Sequence, residues 1–407
     1  MSPAAPSAGV AGGHLRAAAL AFLLSAVLGL LALVTARRAI DRQVVPLLPR
    51  AFEQKSMGLA FQRRALQRDS IVMLYGSSEL NQSVPYRAGD WFRSAPTGFR
   101  VVPVGRKGTL PIHHAQSFYA LGEALRGRHV VLEVAPNVLS HPDGFFTRGM
   151  FAGNFSPLAA GTVAWGPPDD SLGRRIARRI LDFPEAYEAD PLLQFGLETV
   201  AMGRPGDRAF AALFRPLGRL QGAVLGLEDE LRLWGAGWVA RRKRLQPAAA
   251  AGPPDWPALA ATAESLYRPQ AASNPFGIED RYFLARREYF ESKRSHAPPV
   301  PNLDTLPAWQ DLEIELDLLV RAGARPLVVN VPYMGRLMDY RGSTSEERQQ
   351  FYDHLRAACD RRGIPVVTFE EHDMDQWFLR DDGGHQSPKG WVYTNQALDA
   401  FYHDRLR

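Results

Sequence analysis

The chain has 407 residues, a length that suits one large α/β domain with insertions or two domains with ordinary cores. Hydrophobic residues make up 46% and charged residues 22%, which excludes a largely disordered chain. The formal net charge is +5, and the single cysteine, Cys359, excludes an intramolecular disulfide and leaves any metal site to histidines and carboxylates.

The amino-terminal region differs in composition from the rest. A tail at 1–16 precedes an uncharged, Leu- and Ala-rich segment at 17–36, which has arginines on both sides. This segment is about as long as the roughly 30 Å core of a bilayer, so the sequence predicts one transmembrane helix; a cleaved signal peptide is the alternative. The flanking charges leave its orientation open. A juxtamembrane segment at 37–66 would then lead to the main domain at 67–407.

Apolar runs in the main domain predict five buried parallel strands, at 71–75, 99–104, 130–135, 326–331 and 364–369. Helical periodicity accompanies them at 114–125, 309–321, 345–361 and 388–402. This alternation predicts an α/β fold with a doubly wound parallel sheet, whose ligands bind at the carboxyl ends of the strands. Residues 140–302, between the third and fourth strands, are predicted to form a helical insertion with Pro-rich connectors.

Basic clusters carry much of the excess positive charge. Solvated helix faces account for most such clusters, and the functional interpretation is attraction to anionic lipid headgroups or to an anionic polymer. No aromatic-interleaved basic motif accompanies them, so nucleic-acid binding is not expected. The clusters are Arg174, Arg175, Arg178 and Arg179, and Arg241, Arg242, Lys243 and Arg244.

The first strand runs directly into the sequence Gly-Ser-Ser-Glu. Gly76 allows a tight turn, and a serine after it would be exposed at the carboxyl edge of the sheet, beside the free N–H groups of a following helix. Gly-Ser-Ser is also a common loop sequence, so the motif alone is weak. Glu79 is interpreted as a structural carboxylate near a helix N-terminus.

A second polar motif, Asp-Asp-Gly-Gly-His, follows the fifth strand. A carboxylate near an imidazole can hold one tautomer of the ring and stabilise the imidazolium, so Asp382 and His385 are candidate partners. The alternative is an ordinary Asp- and Gly-rich surface turn. Ser387 and Pro388 predict the N-cap and first residue of the last helix.

The two motifs support a common site, because loops that follow parallel strands leave the same edge of a sheet and their residues can meet there. The chain order Ser, Asp, His resembles the SGNH, or GDSL-like, hydrolase superfamily. In that pattern the nucleophile is the second residue after the glycine, which is Ser78 here, with Ser77 as the fallback. Asp382 would orient His385, which would act as general base and then as general acid.

Further segments narrow the resemblance to the DltD family, the D-alanyl-lipoteichoic acid biosynthesis proteins. They span most of the chain in the same order: YGSSEL at 75–80, SNPFGIEDRYF at 273–283, WQDLEIEL at 309–316, VPYMGRLMDYRG at 331–342 and KGW at 389–391. The chain departs from the family at 135–139, where APNVL replaces Ser-Pro-Gln-Trp-Phe, and at 386–388. These departures leave the acyl preference open.

The resemblance implies a serine acyltransferase or esterase that transfers D-alanine to teichoic acid or another anionic envelope polymer. It also implies a D-alanyl carrier protein and a membrane-bound O-acyltransferase as partners, and a catalytic domain outside the cell membrane. Two alternatives remain: an SGNH-type O-acetyltransferase of an exopolysaccharide, and a non-catalytic subunit of an acylation complex.

Oxyanion-hole candidates are the backbone N–H groups of Ser78 and Gly108 and the side chain of Asn137, since donors aimed at a developing oxyanion stabilise the tetrahedral intermediate. Gly108 belongs to the segment VGRKGT at 104–109, and for both Gly105 and Gly108 an ordinary turn role is an equal alternative. No cofactor is expected. Four histidines lack a convincing set of spaced ligand partners, so no metal site is predicted: His113, His114, His354 and His372.

Overall fold

A computed structural model provides the structure of the protein. It describes residues 8–43, 58–140, 148–167, 169–203, 205–242, 252–296 and 300–406. The predicted tail at 1–16 and juxtamembrane segment at 37–66 lie partly outside these ranges.

The described residues contain one five-stranded sheet in which every pairing is parallel. Its order is β2-β1-β3-β4-β5, so β1 lies between β2 and β3 and the winding reverses at β1. In doubly wound sheets the crevice at such a reversal is where ligands bind. The strands are β1 Ile71–Tyr75, β2 Arg100–Val104, β3 His129–Val134, β4 Arg325–Asn330 and β5 Val366–Val367.

Seventeen α-helices surround or extend from this sheet in the part of the chain that the structure describes. Those before and within the insertion are α1 Ala8–Gln43, α2 Leu59–Leu66, α3 Ala88–Ser94, α4 Pro111–Leu121, α5 Pro136–Leu139, α6 Arg148–Asn154, α7 Pro157–Ala164, α8 Ser171–Leu181, α9 Pro191–Met202, α10 Pro205–Arg242, α11 Trp256–Tyr267, α12 Asp280–Ala285 and α13 Arg287–Ser292. The later ones are α14 Pro307–Ala322, α15 Gly335–Arg341, α16 Ser345–Asp360 and α17 Pro388–Tyr402.

Helices cover both faces of the sheet, which explains why its strands are almost continuously apolar. Met73 and Tyr75 of β1 belong to a buried cluster that includes side chains of α4, α14 and α16. Val72 and Leu74 belong to a second cluster with side chains of α3 and α17. Successive residues of a strand point to opposite faces, so each β1 residue is buried in one core or the other.

Three predicted elements differ from the structure. The fifth strand keeps only Val366–Val367, because Pro365 precedes it and Phe369 has a left-handed backbone with φ of 48°. The helix predicted at 114–125 begins earlier, at Pro111, where proline suits the first turn. The apolar segment at 17–36 lies within α1; however, no helix among the described residues is both long and apolar enough to cross a membrane, so the predicted transmembrane helix is not supported.

The predicted insertion packs into the sheet domain. Helices α6 to α9 contribute buried residues such as Phe151, Ile176 and Leu197 to the first core. Helix α11 is joined to α17 by an ion pair of 2.8 Å between Glu264 and Lys389. The segment around α12 and α13 forms a third apolar cluster with α15. The insertion therefore packs both on the first core and on helices α15 and α17 of the sheet domain.

Candidate active site

The turn after β1 places Ser78 at the carboxyl edge of the sheet. A 3₁₀ turn, Ser78–Asn81, follows Gly76 and Ser77. Gly105, after β2, packs so closely on this turn that a Cβ atom there would overlap the carbonyl oxygen of Gly76. Gly105 also has a φ of 154°, which favours glycine. The loops after β1 and β2 therefore form one tightly packed unit around Ser78.

Ser78 meets His385 although 307 positions separate them in the sequence. The Oγ atom of Ser78 lies 2.8 Å from Nε2 of His385, within hydrogen-bond distance. The side chain of His385 is largely buried, with 17% exposed. Ser77 points elsewhere, because its hydroxyl donates to the carbonyl of Arg106 at 3.4 Å. The structure thus places Ser78, not the fallback Ser77, beside the imidazole.

Asp381, rather than the expected Asp382, contacts the far side of the imidazole. Both carboxylate oxygens of Asp381 lie 2.8 Å from Nδ1 of His385. Oδ1 of Asp381 also accepts the backbone N–H of Gly383 at 3.0 Å, which ties the carboxylate to the turn that carries the histidine. The prediction that Asp382 occupies this position was wrong by one residue.

Asp382 points away from His385 towards the insertion. Its carboxylate accepts a hydrogen bond from the hydroxyl of Tyr282, on α12. It also lies 3.3 Å from Arg286 and 3.6 Å from Arg341, on α15. Asp382 therefore connects the loop of His385 to α12 and α15.

The backbone explains why neighbouring aspartates diverge. Residues 379–386 fold back on themselves: Leu379 and Gln386 form an antiparallel bridge, and the N–H of Arg380 donates to the carbonyl of His385 at 2.9 Å. Asp381 lies in a bend and Asp382 in the turn that follows it, so the two neighbouring side chains leave the backbone in different directions. The sequence signal that could have selected Asp381 is its position two residues before Gly383, a spacing at which an Asp side chain accepts a backbone N–H within a turn.

The oxyanion-hole candidates are not all brought to Ser78. The side chain of Asn137 does lie beside the histidine loop, where its amide donates to the carbonyl of Gly383 at 2.6 Å. Gly108 faces α6, where a Cβ atom would lie 3.1 Å from Met150. Gly105, the other glycine of the same VGRKGT segment at 104–109, is the one that packs on the turn of Ser78.

Two buried acidic residues, Glu79 and Glu133, lie next to the segments that carry the serine and the histidine. Burial raises the pKa of Glu79, although the N–H of Ser77 and the charge of His385 oppose this shift. Burial and the charge of Glu79 raise the pKa of Glu133 well above its ordinary value. Glu133 accepts a hydrogen bond of 3.0 Å from Gln386, the residue after His385.

The pKa of His385 reflects opposing influences. Burial lowers it, but the hydrogen bond and charge of Asp381, together with the charge of Glu79, outweigh burial and raise it above the ordinary histidine value. Neutral His385 can accept the hydroxyl proton of Ser78, and Asp381 favours the imidazolium that this transfer creates. The arrangement is suited to activating a serine nucleophile.

Within the described ranges, no group of three or more His, Cys, Asp or Glu side chains is arranged to hold a metal ion. The four histidines considered from the sequence each contact protein groups instead: His113 contacts the carbonyl of Phe151, His114 contacts Glu315, His354 contacts Asp304 and His372 contacts Asp375.

Comparisons with known proteins decide the family. A family model described as DltD protein matches residues 50–403. The chain belongs to the DltD family. It is 25% identical to Protein DltD of Bacillus subtilis (strain 168) over 359 residues, covering 85% of this chain and 86% of that protein. It is 22% identical to Protein DltD of Staphylococcus aureus (strain NCTC 8325 / PS 47) over 353 residues, covering 85% and 84%.

These matches confirm the resemblance inferred from the motifs. The DltD family takes part in D-alanylation of teichoic acid and is associated with the cell envelope. The matched region includes all five strands and both loops that carry Ser78 and His385.

Proposed function

We propose that this DltD-family protein is a serine acyltransferase and esterase of the cell envelope. Ser78 is the nucleophile, His385 is the general base and then the general acid, and Asp381 orients the imidazole. The observation that carries this proposal is the 2.8 Å contact between Ser78 Oγ and His385 Nε2, with Asp381 at Nδ1. Unrelated enzymes use the same geometry for acyl transfer.

The reaction proceeds in two halves. Ser78 Oγ attacks the carbonyl carbon of the acyl donor as its proton passes to Nε2 of His385. When the tetrahedral intermediate collapses, the bond to the leaving group breaks and the imidazolium protonates that group. In the second half, His385 takes a proton from an acceptor hydroxyl, which attacks the acyl-serine. Ser78 then leaves and recovers its proton.

The backbone N–H groups of Ser78 and Gly105 are our candidates for the oxyanion hole. Gly105 replaces Gly108 because it packs on the Gly76 turn. The amide of Asn137 already donates to the carbonyl of Gly383, so we assign it to holding the histidine loop against α5. Donors fixed by close backbone packing need no reorganisation during the reaction.

The family membership supports D-alanine as the acyl group and teichoic acid or a related anionic polymer as the acceptor. A D-alanyl carrier protein and a membrane-bound O-acyltransferase are the corresponding partners. Because the polymer lies in the envelope, the catalytic domain works on the extracytoplasmic side of the cell membrane.

Labelling with a fluorophosphonate tests the catalytic role directly. The full chain should react covalently at Ser78; Ser78→Ala should abolish labelling, and Ser77→Ala should leave it nearly unchanged. An unlabelled but folded protein would favour a non-catalytic subunit. The mass of the acyl group trapped on Ser78 in native membranes separates D-alanyl from acetyl transfer, which an SGNH-type O-acetyltransferase would perform.

A further inference from the structure

A cavity of about 580 Å³ adjoins the candidate active site. Its volume falls within the range of small-molecule binding sites, which is about 300–1,000 Å³. Side chains from the loops after β1 and β2, from α2, α4 and α7, and from α10 line it. The polar residues in its wall include Asn81, Arg87, Arg106, Gln116, Asp229 and Arg232.

The cavity begins at the loops that hold Ser78. Asn81, at the end of the Ser78 turn, donates a hydrogen bond of 2.7 Å to the carbonyl of Gly105. Ser77 reaches the carbonyl of Arg106 at 3.4 Å. The two residues Asn81 and Arg106 therefore stand both in the wall of the cavity and in contact with the turn of the nucleophile. A ligand in the cavity would approach the serine from this side.

Arg106 differs from the other two arginines in the wall. Arg87 is paired with Asp90 at 2.6 Å, and Arg232 with Glu228 at 2.5 Å. The Nε of Arg106 donates instead to the neutral amide oxygen of Asn154 at 2.6 Å. No carboxylate among the described residues forms an ion pair with Arg106, and burial lowers its pKa.

Gln116 supplies an independent sign of a binding function. Its side chain is in the wall of the cavity and only 1% of the residue is exposed. Both polar atoms of its amide are buried without a hydrogen-bond partner among the described groups. Buried polar groups are rarely left unpaired, and those that are call for a missing partner such as a ligand or an ordered water.

The cavity wall also carries acidic side chains, and these have partners of their own. Glu228 of α10 pairs with Arg232, and Asp229 accepts the backbone N–H of Ala60 at 2.8 Å. Arg106, next to the turn of Ser78, is therefore the arginine of the wall to which an anion would bind. The planar guanidinium of arginine, with its fork of donors, matches phosphate geometry particularly well.

We propose that this cavity binds a phosphate ester, with Arg106 as its principal anion contact and Ser78 at its mouth. The choice of phosphate rests on the proposed function, in which both substrates carry phosphodiesters. One source is the phosphopantetheine arm of an acyl carrier protein; the other is the glycerol phosphate unit of the acceptor polymer. Arg106 would position the ligand without touching the reacting atoms.

Calorimetric titration of the full-length Ser78→Ala protein tests this site without requiring catalysis. Glycerol 1-phosphate represents the acceptor, pantetheine 4′-phosphate represents the donor, and glycerol and pantetheine are the uncharged controls. We expect one phosphate ester to bind more tightly than its uncharged counterpart, and the one that does so identifies the source. When Arg106→Gln is introduced into the Ser78→Ala protein, that binding should weaken by about 10- to 100-fold, as expected for loss of a charged hydrogen bond.

Two further variants separate binding from folding. Arg106→Lys keeps the charge but loses the fork, so its affinity should lie between those of the parent and Arg106→Gln. Arg175→Gln is the matched control, because Arg175 pairs with Asp317 at 3.0 Å on another surface, and its affinity should be unchanged. Failure of both phosphate esters to bind, or equal binding by the parent and both Arg106 variants, would overturn the proposal. Fluorophosphonate labelling of the wild-type protein tests the catalytic function separately.

Discussion

Replacing one of two adjacent aspartates distinguishes the role that the structure assigns to each. Asp381 contacts Nδ1 of His385 with both carboxylate oxygens at 2.8 Å, whereas Asp382 contacts Tyr282 and two arginines. Asp381→Asn should leave the fold intact but disturb the histidine tautomer and remove the charge that stabilises the imidazolium. Loss of this partner in a serine triad lowers kcat by about 10⁴-fold, which equals about 5 kcal/mol of transition-state stabilisation.

Asp382→Asn is the matched variant at the next position. It weakens the contacts with Arg286 and Arg341, which should cost about 1–3 kcal/mol of folding stability. Its kcat should stay within about tenfold of wild type, because hydrogen bonds to His385 are kept.

Hydrolysis of a small ester such as 4-nitrophenyl acetate, with urea unfolding measured in parallel, provides the assay for both variants. Folding data identify any loss of rate that arises from instability. If folded Asp382→Asn loses as much activity as Asp381→Asn, or if Asp381→Asn remains fully active, the assignment of Asp381 is refuted.

Three other predictions follow from the same groups. Ser78→Ala and His385→Ala should each nearly abolish ester hydrolysis, and the double variant should be little worse, since members of a triad act as a unit; additive losses of rate would contradict this. The acid limb of kcat/KM should have its midpoint above the ordinary histidine pKa of about 6.5, and Asp381→Asn should move it to lower pH, because burial of His385 then acts without its largest opposing influence. Glu133 keeps its proton in the folded state after the unfolded chain has lost it, above about pH 4.3, so its burial makes unfolding easier as the pH rises. Glu133→Gln should reduce this fall in the free energy of unfolding as urea titrations are repeated at increasing pH above that value, and an unchanged slope would count against a raised pKa.

The core of the fold was predictable because short-range patterns determine it. Strands covered on both faces must be apolar throughout, which made β1, β3 and β4 recognisable to within a residue or two. The last helix was predicted with the observed bounds, Pro388–Tyr402, because Ser387 caps it by accepting the N–H groups of Lys389 and Gly390. The fifth strand was overestimated, since the left-handed backbone of Phe369 is not evident from its apolar neighbours.

Site residues were predictable only where topology alone brings them together. Ser78 and His385 follow strands of one parallel sheet, so their meeting required no knowledge of side-chain direction. The choice between Asp381 and Asp382 depended on the path of a short hairpin, and the choice between Gly105 and Gly108 depended on contact with the neighbouring loop. The first distinction is a matter of local turn geometry and the second of packing between two loops, and the spacing of Ser, Asp and His in the sequence specifies neither.

The arginines show the same limit for electrostatic function. The sequence cluster around residue 175 offered an attractive site for an anionic acceptor, yet Arg175 pairs with Asp317 and Arg179 with Asp311, both on α14. These charges help to hold α8 on the sheet domain and are partly neutralised there. Arg106 belongs to no cluster, but it lies in the wall of a cavity beside Ser78, and among the described residues its side chain is hydrogen-bonded only to the amide of Asn154. Anion recognition depends on which positive charges remain uncompensated after folding, so a solitary arginine is a better candidate here than a run of four.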